Sequence, residues 1–150
     1  MCRRVLLPHD NLAEHEAALP VAVEFARLCG AGLHLVRVVP TRRTLKGHQS
    51  AAGGLLPGAA QTMLEIERQE AGHDMEGHRQ QLRRSGLDVT TEVLRGDPVG
   101  AIATACATVD ADLIVLATHG TAGTRAFWAG SVTAGVCARC AVNVLLVPVA

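Results

Sequence analysis

Tyrosine is absent from this chain, and its 150 residues include only two Phe and one Trp. Aromatic platforms for gripping single-stranded nucleic acid therefore have little to build on. An excess of charge of either sign is missing too. The 14 basic and 14 acidic side chains balance, so no global field recruits a polyanion or an anionic membrane. The single lysine, Lys46, lies far from any glycine loop, which excludes a GxxxxGK[ST] phosphate loop, and no GxGxxG follows a strand. No apolar run approaches the ~18 residues that cross a bilayer. The opening MCRRVLLPHD offers only three apolar residues before Pro8, too few for the core of a signal peptide. Five cysteines, an odd number without a disulfide framework, suit a reducing compartment, and cytoplasm is the expected location. GxSxG, HExxH and paired carboxylates at a defined spacing are all absent, so a dedicated enzyme is the weaker expectation.

What is present reads as one globular domain spanning residues 1–150: 49% hydrophobic and 19% charged residues, in a chain long enough to bury roughly two-thirds of its unfolded surface. Arg4 to Pro8 is a short apolar strand, and Asn11 with Glu14 forms a capping box for a helix over Leu12 to Cys29, which Gly30 stops. Ala18, Val21 or Ala22, Phe25 and Leu28 give that helix its buried face. Pro20 falls in its interior, where it predicts a kink. Leu33 to Val39 is a central strand despite His34 and Arg37. Residues Pro40 to Ala60 read as a long mobile loop rich in Gly, Pro and basic side chains. Gln61 to Ser85 is a polar helix with a thin face of Leu64, Ala71, Met75, His78 and Leu82, weakened by Gly72 and Gly77. Val89, Thr91 and Val93 alternate as in a half-exposed strand. Asp97 and Pro98 then start a helix that buries Ile102, Ala105 or Cys106, and Val109. Strictly alternating strands and helices imply an α/β fold, a parallel sheet doubly wound with helices on both faces.

The stretch from Asp112 to Val149 carries the strongest functional signal. Leu113 to Ala117 (LIVLA) reads as a buried strand, Thr118 to Ala129 as a Gly/Thr-rich loop, and Gly130-Ser131 as the start of a short helix, with Val142 to Val147 a closing strand. Gly130 permits close backbone approach to a ligand, and Ser131 can cap the helix, whose free N–H groups and positive dipole end suit a phosphate. Ala117, Gly120 and Gly130-Ser131 match the G-x2-G-x9-G-[ST] spacing, with alanine at the first glycine. Together with DLIVLATHG and GSVTAGV, this resembles the nucleotide-binding universal stress proteins, through most of residues 3 to 148.

The resemblance implies a five-stranded, Rossmann-like sheet of the adenine nucleotide alpha hydrolase type, with strand order 3-2-1-4-5. It further implies an adenine nucleotide, ATP or its AMP or ADP relatives, with or without magnesium, as ligand. In that order the first and fourth strands flank the switch point where doubly wound sheets bind ligands. Pro8, His9 and Asp10 then face Leu116, Ala117, His119, Gly120, Gly130, Ser131, Val132 and Thr133 across one crevice. Asp10 corresponds to the acidic residue that meets adenosine, Val38 to the position whose backbone pairs with the adenine edge, and Gly120, Gly130 and Ser131 to phosphate contacts. The resemblance also implies a role in stress response and a homodimer joined through Val142 to Val147. A nucleotide-free dimerising scaffold of the same fold, or a slow ATP-hydrolysing enzyme, are the alternatives.

Ala117 is strained if its position needs positive φ, and unstrained if the position needs only a small side chain; its place at the end of a strand favours the second. His119 and Arg125 are loop side chains more often solvated than bound, and Trp128 beside Phe127 reads as an anchor for the loop or a subunit contact. Cys137 and Cys140 form a CxxC, but no second pair completes a zinc site and the motif ends a short helix, so redox or metal chemistry has little support there. His73 and His78 lie five residues apart, off a common helix face.

Overall fold

The computed structural model describes residues 1–10, 16–39, 41, 43, 57–119 and 132–149. The elements run β1 (Arg4–Pro8), α1 (Ala18–Cys29), β2 (Gly32–Val39), α2 (Pro57–Arg84), β3 (Val89–Arg95), α3 (Pro98–Thr108), β4 (Leu113–His119), α4 (Val132–Arg139) and β5 (Asn143–Val149). All strand pairs are parallel, and the five-stranded sheet has the order β3-β2-β1-β4-β5. The expected fold and strand order are the observed ones.

Side-chain alternation along the strands divides the core in two. Val5, Leu7, Leu33, Leu35, Leu113 and Val115 point to one face and pack with Ala18, Ala22, Val23 and Ala26 of α1 and Ala71 and Met75 of α2. Leu6, Val36, Ile114 and Leu116 point to the other, against Ile102, Ala105 and Cys106 of α3 and Val136 of α4. Apolar burial on both faces explains why β1 and β4 read as continuous hydrophobic runs.

Several sequence expectations change. Helix α1 begins at Ala18, not Leu12, behind an Ala17 that makes no side-chain cap; the Asn11 to Glu14 capping box falls on positions that include undescribed residues 11–15. Pro20 is therefore the third helical residue, in the first turn, where its missing N–H has no intrahelical acceptor to lose, and the expected kink has no cause. Leu28 is 78% exposed, so the buried face of α1 runs through Ala18, Ala22, Val23 and Ala26 instead. Gly30, at φ +65°, ends the helix in the left-handed conformation that glycine adopts without strain. Helix α2 starts at Pro57, four residues before the expected Gln61; the rest of the expected 40–60 loop lies almost wholly outside the described residues. Strand β4 continues through Thr118 and His119, which the sequence assigns to the loop. Asp97 and Pro98 do start α3 as expected, with the Asp97 carboxylate accepting from the Gly100 N–H at 2.8 Å. Among the described residues no helix is long and apolar enough to cross a membrane.

Candidate functional site

Helices α1 and α2 lie on one face of the sheet and α3 and α4 on the other, so the direction in which strands are added reverses between β1 and β4. Pairing at that seam is short. β1 joins β4 only at Val5–Leu113 and Leu6–Ile114, whereas β4 and β5 stay paired from Leu113–Asn143 to His119–Val149. Both strands continue past Leu6 and Ile114 without pairing to each other, which opens the carboxyl end of the sheet between them. A doubly wound sheet binds its ligand at such a point.

On the β1 side, the His9 N–H donates to the Val36 carbonyl at 2.8 Å, anchoring the segment that places exposed Asp10 beyond the sheet. Val38 is half-buried; its side chain packs on the α3 side and its backbone registers with Leu94 of β3. Residues two apart in a strand send their backbone groups to the same side. Because the Val36 carbonyl points to β1, the N–H and C=O of Val38 point the same way, past the end of β1.

On the β4 side, Leu116 is buried, and half-buried Ala117 is registered with Val147 as an ordinary strand residue. Among the described residues Asp110 is the only non-glycine with positive φ, so Ala117 carries no left-handed strain and its methyl group fits the strand. His119 ends β4. Val132 and buried Thr133 open α4. Gly120, Gly130 and Ser131, with Arg125, Phe127 and Trp128, lie outside the described residues.

Sequence reasoning named His9 beside this opening but missed its meeting with His78. His9 is only 4% exposed; its ring meets the ring of His78 edge-on, with centroids 4.8 Å apart, and among the described residues neither ring nitrogen has a hydrogen-bond partner. Burial holds the His9 pKa below the ordinary imidazole value, His78 and Arg37 push it the same way, and Asp10 and Glu16 oppose. Arg37, next along the sheet, faces Asp74 of α2 at 3.6 Å. The Pro8-His9-Asp10 word marked His9, and the helical spacing of α2 marked His78, but their meeting depends on how α2 lies on the sheet. Thr118, buried at the end of β4, was likewise placed in the loop.

The fold and its open seam define a doubly wound α/β protein whose β1–β4 ladder ends early at the topological switch point. The family model described as Universal stress protein family matches residues 1–148, and the chain belongs to that family. The universal stress protein UspA of Lactobacillus plantarum is 26% identical with a TM-score of 0.76, over 97% of this chain and 97% of that one. A universal stress protein solved in complex with cAMP is 20% identical, TM-score 0.67, over 99% of this chain and 98% of its own. The Archaeoglobus fulgidus universal stress protein in complex with dAMP is 20% identical, TM-score 0.62, over 97% of each chain. These last two show a shared fold. No curated protein matches the chain.

Proposed function

We propose that this universal stress protein binds an adenine nucleotide in the crevice between β1 and β4. The early end of the β1–β4 ladder carries the reading, because it leaves an opening at the topological switch point. Relatives of the same fold have been solved with cAMP and dAMP, which supports an adenine nucleotide as the ligand class. Asp10 accepts hydrogen bonds from ribose hydroxyls, and the backbone of Val38 pairs with the adenine edge beyond the end of β1. Gly120, Gly130 and Ser131 hold phosphate at the amino end of α4, with Val132 and Thr133 in its first turn. Pro8, His9, Leu116, Ala117 and His119 line the approach, and magnesium accompanies a triphosphate. In this reading a single cytoplasmic domain uses the nucleotide as a regulatory or protective signal in stress response and does not turn it over.

The protein acts as a homodimer joined through β5. That strand is an edge of the sheet, and its Leu146 is 39% exposed, a combination that favours pairing with a second chain. A dimer mass by light scattering at micromolar concentration supports this, and a monomer contradicts it.

Freshly purified protein, denatured to release small molecules, yields adenine nucleotide by mass spectrometry, and the emptied protein takes up ATP with magnesium. No released nucleotide and no heat at millimolar ATP overturns the reading. Phosphate release far above background, abolished by Asp10→Ala, replaces it with an enzyme.

A further inference from the structure

The CxxC of residues 137–140 invites a pairing within one helix, but the structure separates its two members. Cys137 is exposed. Cys140, just past the end of α4, is half-buried and packs on the cluster formed by Leu6, Ile102, Cys106, Ile114 and Val136. There it lies beside Cys106, a buried thiol of α3 in the same cluster.

The two helices are closely held around this contact. Arg139 reaches Asp97 at the start of α3, 3.9 Å away. Gly135 packs so tightly on Val99 that a Cβ on it would lie 2.7 Å from a Val99 methyl carbon. The Cys140 N–H is fixed by the Val136 carbonyl at 2.9 Å.

We propose that Cys106 and Cys140 form a reversible disulfide when the protein meets hydrogen peroxide. Cys140, the more accessible of the two, attacks the peroxide as thiolate. The O–O bond breaks, Cys140 becomes a sulfenic acid, and one water leaves. The Cys106 sulfur then attacks the Cys140 sulfur, and the hydroxyl departs as a second water with the Cys106 proton. Two thiols lose two hydrogens and two electrons, and one peroxide is reduced to two waters. Burial and the contact with Cys140 push the Cys106 thiol up to about 11, so Cys106 is the resolving partner and the second step quickens as pH rises. The bridge closes a loop containing β4, residues 120–131 and α4, and restricts the unfolded chain. It stands whether or not a nucleotide binds.

The test treats the reduced protein with excess hydrogen peroxide and maps its peptides without reductant. The expected product is an intramolecular pair joining the Cys106 and Cys140 peptides, lighter by two hydrogens, reversed by dithiothreitol and accompanied by a higher unfolding temperature. Cys137→Ser retains it. Cys106→Ala and Cys140→Ala each abolish it, and the wild-type map stands alone if either fails to fold. A Cys137–Cys140 bridge, oxidation that stops at sulfinic acid on Cys137, or unaltered Cys106 and Cys140 thiols overturns the proposal.

Discussion

The two ends of the sheet are built differently. At the amino ends of the strands, backbone groups are tied across the seam between β1 and β4. The Asp112 carboxylate accepts the N–H groups of Arg3 and Arg4 at 2.7 and 2.9 Å, and its own N–H donates to the Arg4 carbonyl at 3.0 Å. Gly32 and Leu33 donate to the Arg3 and Asp88 carbonyls at 2.9 and 2.8 Å. At the carboxyl ends the same seam stops pairing after Leu6–Ile114, and the buried imidazole of His9 stands there with neither ring nitrogen hydrogen-bonded among the described residues. Buried polar groups are ordinarily satisfied. These bonds close the seam at its amino end, and at its carboxyl end, where the proposed nucleotide site lies, the seam stays open.

Four substitutions sharpen that contrast. The largest effect belongs to Gly135→Val, which drives side-chain atoms of α4 into the stiff Val99 of α3. Overpacking predicts a loss of roughly 1 to 3 kcal/mol, read as a lower urea midpoint, and an unchanged midpoint means that the helices separate at no cost.

Next comes Asp112→Ala at the closed end. The two amide bonds to Asp112 hold its pKa below the ordinary carboxylate value, so its stabilisation is complete above about pH 3.9 and fades as pH falls through the lower folded value. The variant is less stable at neutral pH, and its curve converges with wild type in acid. Parallel curves contradict the Asp112 clamp.

His9→Phe acts through pH at the open end. The depressed pKa of His9 means that the unfolded chain takes up a proton at about pH 6.5, before the folded chain does, so wild type loses stability as pH falls from there toward the folded value. Phe removes that part of the slope. His34, also held low by burial against the opposing pull of Glu92, keeps its share, so the slope shrinks without vanishing. An identical slope in both proteins argues against a buried, neutral His9.

The smallest effect is a gain. Gly77 lies on the exposed side of α2, and a Cβ there meets no atom within 4 Å; Gly77→Ala stabilises by up to about 1 kcal/mol. A loss instead places the glycine in a contact that the fold does not show.

The fold was legible because strand burial on both faces writes itself as LIVLA, and because Gly30 and Asp97-Pro98 punctuate the helices locally. Pro20 misled because a helix start without a side-chain cap leaves no local mark, which turned a first-turn proline into an interior one. Leu28 misled because apolarity does not say which side of a helix faces the sheet. The site was legible as a set of words, Pro8-His9-Asp10 and the 117-120-130-131 spacing, but not as a shape. The short β1–β4 ladder joins segments 108 residues apart, Val5 with Leu113 and Leu6 with Ile114, and the Asp112 clamp spans 108 and 109. No local pattern encodes either.

Calorimetric titration of ATP with magnesium into nucleotide-free protein, run beside Asp10→Ala and Asp112→Ala, tests the assignment of the two ends most directly. A hydrogen bond to a charged group contributes about 1.5 to 3 kcal/mol, so Asp10→Ala weakens binding by tenfold or more while Asp112→Ala binds as wild type does. Equal affinity in all three proteins, or no binding to wild type, contradicts a nucleotide site at the open end of the sheet.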